Sequence, residues 1–393
     1  MNLLYVSAGF PPKGRPLENI GGMQTVATEL YDALERQPSV TVSCLALRSS
    51  ERWHRLRLAP FLLSLLLRIP RIVSARDIQV ILFASLRVGW LAWLLKKQPA
   101  LRHVPMISIA HGYDVLWPIQ PYPRLLSRIF ANLDLVLPIS RATRAACLAR
   151  GLDPERARLV RNGVNPERFG PSCAPPDERR VLQERWRTNG VDPLPHDVFL
   201  LCSVGRLVRR KGALWFVENV MPRLPVNVHY WIGGEGPMAS QIRAAIERNG
   251  LHTRVRLLGR LSDPEVGILL RGADLFLMPN VPVRNDMEGF GIVILEAGVC
   301  GLPVVGARLE GIIDVVHEGW NGSLVTSGSA DEWVRAIKRF YADRGLLAQL
   351  STRTVSFTRE RFAWSVVVHD YLEALALTAR RPPTSSLSPS GSS

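Results

Sequence analysis

The apolar positions of this chain fall into short unbroken runs, and most runs lead into a turn followed by helical spacing. In the first half, residues 3–7, 78–84, 105–110 and 134–139 read as strands. In the second half, residues 198–204, 228–232, 255–258, 273–279 and 303–306 do the same. Most runs are apolar throughout, the pattern of parallel strands covered by helices on both faces. Helical stretches fall at 25–36, 60–75, 85–97, 141–150, 237–249, 292–297 and 331–341, with a last one at 364–379. Strand and helix alternate in both halves, which predicts an α/β protein. Between the halves, Pro171, Pro175, Pro176, Pro193 and Pro195 stand among charges, the composition of a linker with a short helix. The expected domains are therefore 1–175 and 176–363. The Pro, Ser, Thr and Gly of 381–393 are expected to be disordered.

Residues 55–97 are the most hydrophobic part of the chain. Within them, 61–69 is short and flanked by Arg55, Arg57, Arg68 and Arg71, while 78–95 carries Gln79 and Arg87. Both fall short of the roughly 20 apolar residues that cross a bilayer. The expected parse is a helix near 60–75, a strand near 78–84 and a helix at 85–97. The mixture of Arg, Trp and Leu also suits peripheral attachment to an anionic membrane surface.

Length and composition change the picture little: 393 residues, 47% hydrophobic and 21% charged, suit two globular domains. The formal charge of +15 is carried almost wholly by arginine, with lysine only at 13, 96, 97, 211 and 338. No nucleic-acid-binding signature accompanies it, so nucleic acid is not an expected partner; a membrane surface or a phosphorylated acceptor suits the charge. The cysteines at 44, 147, 173, 202 and 300 have neither zinc spacing nor a disulfide framework. With no basic leader ahead of the first strand, they point to a reducing, cytoplasmic setting.

The chemistry concentrates in Met287-Glu288-Gly289-Phe290-Gly291-Ile292-Val293-Ile294-Leu295-Glu296-Ala297. The two glycines let main chain approach a ligand closely, and the helix that follows offers free N–H groups and a positive dipole end. Glu288 falls in the loop and Glu296 inside the helix, so both carboxylates can face one ligand. A solvated loop acid and an ordinary ion pair would also account for them. A second stretch, Gly205-Arg206-Leu207-Val208-Arg209-Arg210-Lys211-Gly212, follows the 198–204 strand. Arg206 and Lys211 lie across its strand-to-helix turn, placed to clamp a diphosphate.

Together these two stretches resemble the retaining glycosyltransferases of family four, and the resemblance covers residues 1 to about 375. It implies the GT-B fold: two Rossmann-like, doubly wound parallel-sheet domains facing across a cleft, with the helix at 364–379 crossing back onto the first. The activity it implies is transfer of a hexosyl group from a UDP- or GDP-sugar, with retention, to a lipid-linked or polysaccharide acceptor, as in bacterial glycan biosynthesis. Arg206 and Lys211 would then hold the diphosphate, Glu296 the ribose, and Glu288 the sugar hydroxyls alongside the amides of Gly289, Phe290 and Gly291. His111 would contact the donor sugar, Gly21 and Gly22 the donor phosphates and acceptor. Gly205 and Gly234 would lie in donor-side loops, and Gly259, Arg260 and Leu261 would hold the nucleobase edge. Asn162-Gly163 would lie near the hinge. No cofactor or metal is expected, since the chain lacks the Asp-x-Asp of the other main glycosyltransferase fold. A nucleotide-sugar epimerase and a non-catalytic sugar-nucleotide-binding partner subunit are the alternatives.

Overall fold

The computed structural model describes the chain except residues 15–20, 119, 170–174, 188–193, 196 and 381–393, and the side chains of 51 and 175–177. The tail expected to be disordered lies outside the described residues, as do Pro171 and Pro193 of the linker. The chain divides into two compact units. The first comprises Met1–Ile139, Arg144–Val160 and the chain from Val368; the second comprises Ser140–Thr143 and Arg161–Val367.

In the first unit, β1 (Asn2–Phe10), β2 (Thr41–Arg48), β3 (Val80–Phe83), β4 (Met106–Ala110) and β5 (Leu135–Pro138) form one sheet, ordered β2-β1-β3-β4-β5. Every pairing is parallel. β3, β4 and β5 are buried at every position, as unbroken apolar runs predict. β2 escapes that pattern because it is an edge strand that alternates, burying Ser43, Leu45 and Leu47 while Thr41 and Arg48 are exposed. The helices here are α1 (Gly22–Glu35), α2 (Glu51–Arg76), α3 (Leu86–Gly89), α4 (Ala92–Leu95), α5 (Tyr113–Leu116) and α6 (Tyr122–Ala131).

The hydrophobic segment differs from its expected parse in two ways. The helix near 60–75 is longer, because 51–59 continues its helical spacing and Pro60 and Pro70 are accommodated inside it. Over Arg52–Arg76, α2 is long and apolar enough, by length and composition only, to cross a membrane, and little of it is buried. Leu65, Ile69 and Val73 anchor its inner face in the core. The helix at 85–97 is instead two single turns, α3 and α4. Gly89 ends the first turn so close to β4 that a Cβ would lie 2.6 Å from Ser108 Oγ.

α7 (Arg141–Leu148) and α8 (Pro175–Arg187) precede the second sheet. That sheet contains β6 (Phe199–Val204), β7 (Val228–Gly233), β8 (Val255–Gly259), β9 (Leu275–Met278), β10 (Val304–Ala307) and β11 (Gly322–Val325). Its order is β11-β10-β9-β6-β7-β8, again all parallel. The remaining helices are α9 (Ala213–Asn219), α10 (Ala239–Arg248), α11 (Asp263–Gly272), α12 (Ile292–Val299), α13 (Ala330–Ala342), α14 (Arg344–Phe362) and α15 (Trp364–Arg380). From Val368, α15 belongs to the first unit, where Glu373 pairs with Arg158 at 2.6 Å. Gly163, of the Asn-Gly pair expected at a hinge, lies under Trp364: a Cβ would fall 2.5 Å from the indole.

Each sheet reverses its strand order at one point, between β1 and β3 in the first and between β6 and β9 in the second. The crevice beyond the carboxyl ends of such strands is where open α/β sheets bind ligands, because the connecting loops diverge there.

Candidate active site

At the carboxyl end of β6 the chain turns through Gly205, with φ 150°. The Gly205 amide donates to Gly233 O at 2.9 Å, and the Gly234 amide donates to Gly259 O at 2.6 Å. A Cβ on Gly234 would lie 1.9 Å from Gly205 O. These glycines let three strand-end loops pack main chain on main chain, and the Gly205 and Gly234 amides are already engaged. Arg209–Lys211 then form one 3-10 turn, closed by Gly212 in the left-handed region at φ 69°. A Cβ on Gly212 would sit 1.7 Å from Pro279 O, so the turn is seated against the exit of β9.

That seating brings two cations onto Glu288. Its Oε2 accepts from Arg210 Nη1 at 2.6 Å, Lys211 Nζ at 2.7 Å and Asn280 Nδ2 at 3.0 Å. Arg210 Nε also pairs with Asp286 at 2.9 Å. Glu288 is 8% exposed. Burial pushes its carboxyl up, but Lys211 and Arg210 together outweigh burial and hold it down at about 2. It is therefore a fixed carboxylate and a weak base.

The main chain around Glu288 is clamped as well. Glu288 N donates to Glu310 Oε2, and Glu288 O accepts from Gly311 N at 3.1 Å. Glu310 takes a φ of 47°, uncommon for a residue with a side chain. A Cβ on Gly311 would meet Gly289 O at 2.2 Å. Gly291 precedes α12 at φ 84°. The amides of Gly289, Phe290 and Gly291 donate to no main-chain acceptor among the described residues. Amides without a main-chain acceptor at a helix start, beside partly buried cations, suit an anionic ligand.

Glu296, inside α12 and 7% exposed, accepts from Arg168 Nη1 at 2.6 Å. Arg168 also forks onto Asp263 at the start of α11, with Nε–Oδ2 at 3.0 Å and Nη2–Oδ1 at 2.9 Å. Burial raises the Glu296 carboxyl, and the Arg168 charge opposes that rise.

The structure thus brings Lys211, Glu288 and the Gly289–Gly291 main chain together, with Glu296 further along the same helix. Arg206 is exposed. Arg260 is exposed too, and Leu261 Cδ1 covers Gly233, where a Cβ would lie 2.5 Å away. The Phe290 side chain is core, packed edge-on against Phe362 at 6.3 Å, which leaves only its main chain for a ligand. His111, Gly21 and Gly22 lie in the first unit. Gly21 caps α1, and Gly22 is its first residue. His111 Nε2 donates to Ala84 O at 2.8 Å, while its amide donates to the buried Asp114 carboxylate at 2.8 Å. Sequence reasoning missed Arg210, Asp286, Asn280, Glu310, Arg168 and Asp263. Arg210 and Asp286 lay within or beside the quoted stretches; the others are reached only through tertiary contacts.

Paired parallel-sheet Rossmann-like units, the second carrying a carboxylate–cation centre at its switch point, define a GT-B glycosyltransferase. Two family models match: Glycosyltransferase Family 4 over residues 20–168 and Glycosyl transferases group 1 over residues 199–343. The chain belongs to this glycosyltransferase family. It is 26% identical over 382 residues to the GDP-mannose-dependent alpha-(1-6)-phosphatidylinositol monomannoside mannosyltransferase of Mycolicibacterium smegmatis, covering 92% of this chain and 95% of that protein. It is 29% identical over 275 residues to the amylovoran biosynthesis glycosyltransferase AmsK of Erwinia amylovora, covering 67% of this chain and 62% of that one. HepE of Anabaena, in complex with UDP, superposes with a TM-score of 0.72 at 20% identity, covering 96% of this chain and all of that one (100%).

Proposed function

We propose that the chain transfers a hexosyl group, with retention, from a UDP- or GDP-sugar to a lipid-linked acceptor in glycan or glycolipid synthesis. The observation that carries the reading is the Glu288 centre: an ionised carboxylate, two partly buried cations and, at one helix start, amides with no main-chain acceptor among the described residues. In the reaction the bond from the sugar's anomeric carbon to the diphosphate breaks, and the acceptor hydroxyl forms the new bond from the same face, its proton passing to the departing diphosphate. Arg206, Lys211 and the loop amides stabilise the charge that gathers on the leaving group. Glu288, pinned by two cations and weakly basic, orients sugar hydroxyls and faces the positive charge of the flattened ring rather than attacking it. Glu296 accepts from the ribose hydroxyls. The phosphatidylinositol mannoside named for the mycobacterial relative supports a lipid-linked acceptor.

The fixed cations make a metal unnecessary, so turnover is expected to survive excess EDTA. Loss of turnover with EDTA and its return with magnesium or manganese would overturn that part of the reading. Donor class is tested by thermal stabilisation, since a nucleotide sugar at 100 times its Kd stabilises by about 2.7 kcal/mol.

Arg168→Ala is expected to raise the donor's Michaelis constant most at acidic pH. The Glu296 carboxyl is already raised by burial, and removing the opposing Arg168 charge raises it further. Ribose binding needs the carboxylate, so affinity is present above this pKa and lost as pH falls through it. The acid limb of donor binding should move to higher pH in Arg168→Ala and flatten in Glu296→Gln. A pH profile of the Michaelis constant that matches native in both variants would remove Glu296 from the ribose.

A further inference from the structure

Glu310 opens the 3-10 turn Glu310–Asp314 that follows β10, and two features of its setting work against it. Its φ of 47° lies in the left-handed region, which a side chain disfavours and glycine enters freely. Its carboxyl is half-buried. Burial raises it, as do the neighbouring Glu288 and Asp286 charges, while the Glu288 amide and Arg210 hold it down. A glycine at 310 would relieve both. A residue held in a strained conformation beside a site points to a task performed there.

The task is visible in what this turn holds. Glu310 Oε2 accepts from Glu288 N, and Gly311 N donates to Glu288 O at 3.1 Å. Both polar main-chain atoms of Glu288 are therefore fixed by one neighbouring turn. Gly311 packs so closely that a Cβ there would lie 2.2 Å from Gly289 O and 2.7 Å from Phe290 N. The turn thus seats the two residues after Glu288 as well. At the other end of the residue, Arg210, Lys211 and Asn280 all meet Glu288 Oε2, so Oε1 is the oxygen that these partners leave to a ligand. Its place is set by the main chain that carries it.

We propose that Glu310 is a positioning residue for the transfer: by gripping the Glu288 main chain it sets where Glu288 Oε1 and the amides of Gly289, Phe290 and Gly291 meet the donor. The proposal deepens the glycosyl-transfer reading above and rests on it. Glu310 acts through Glu288 and takes no part in bond making or breaking. A reacting group misplaced by about 1 Å can lose about a hundredfold in rate, so loosening this grip falls on turnover.

The experiment compares the full native chain with Glu310→Gly, which takes the left-handed conformation without strain, and with Glu310→Gln, which keeps an oxygen that accepts from the Glu288 amide. Glu310→Gly is expected to lower kcat about tenfold or more, with the donor's KM changed less than about threefold, and to melt no earlier than the native chain. Glu310→Gln should hold kcat within about threefold of native, because the acceptor is retained. In a Glu288→Gln background, Glu310→Gly should lower kcat less than about threefold further, since the carboxylate that Glu310 positions is gone. Hydrogen exchange reads the grip without substrate: in Glu310→Gly the Glu288 amide should exchange about tenfold faster while the amides of β9 keep their protection. Native kcat in Glu310→Gly, equal losses in both backgrounds, no rescue in Glu310→Gln, a melting temperature that falls with the activity, or unchanged exchange at Glu288 would each overturn the proposal. If the grip loosens as expected but the native chain transfers no hexosyl group from UDP- or GDP-sugars, the glycosyl-transfer reading fails instead.

Discussion

Glu288→Gln is expected to lower turnover by about two to three orders of magnitude, roughly 3–4 kcal/mol, with nucleoside diphosphate binding retained or tightened. The amide keeps the shape of the side chain and loses its charge. The carboxylate's contribution is greatest when the sugar ring becomes cationic, so the loss falls on turnover more than on ground-state binding. Lys211 and Arg210, held on Glu288 at 2.7 and 2.6 Å, lose their main counter-charge, and a diphosphate replaces it. Removing one partner of a buried pair costs about 3–5 kcal/mol in general, so the free variant should melt earlier and gain more from UDP or GDP than the native chain does. Mild acid should not mimic the substitution. Glu288 is depressed to about 2, so its stabilising charge is complete above the ordinary carboxylate range and is lost only as pH falls toward that value. Near-native turnover in Glu288→Gln, checked by steady-state kinetics beside thermal shifts with nucleotide, would dismiss the assignment.

The parallel sheets were legible because their inner strands are apolar on both faces, and the helix after Gly291 because its Gly-Phe-Gly start and apolar run agree. What stayed hidden depends on long contacts. Arg168 and Glu296 stand 128 positions apart in the chain, and no local pattern announces that they meet. Glu310 reads as a turn acid until its φ of 47° and its bond to the Glu288 amide are known. Arg210 was visible in the basic run, but spacing favoured its neighbour; both in fact reach the same oxygen of Glu288. The length of α2 exceeds its expected span for a different reason. The expected span of 60–75 starts at Pro60, while the helix runs back to Glu51 because 51–59 continues its spacing and Pro60 is accommodated inside it.

Arg206→Ala and Lys211→Ala are expected to lower turnover alike, by about two orders of magnitude each, and to differ in stability. Both cations would stabilise charge on the departing diphosphate, a contribution needed chiefly in the transition state. Arg206 is exposed, and substitutions at such positions usually change stability by within about 0.5 kcal/mol. Its variant should melt as the native chain does. Lys211 is partly buried: desolvation pulls its amine down and Glu288 opposes that, so the charge depends on its partner. Lys211→Ala leaves Glu288 with Arg210 and Asn280, which keeps the carboxylate compensated but loses one of its two cationic partners. The expected cost is below the roughly 3–5 kcal/mol of a fully orphaned buried charge, and still large enough to lower the melting temperature. UDP or GDP should stabilise the Arg206 variant less than the native chain, because the variant lacks a cation that would meet the diphosphate. Melting curves with and without nucleotide, together with turnover of both variants, check each part. Full turnover in both variants would remove the diphosphate from this loop, and an unchanged melting temperature in Lys211→Ala would show that its pairing with Glu288 does not stabilise the fold.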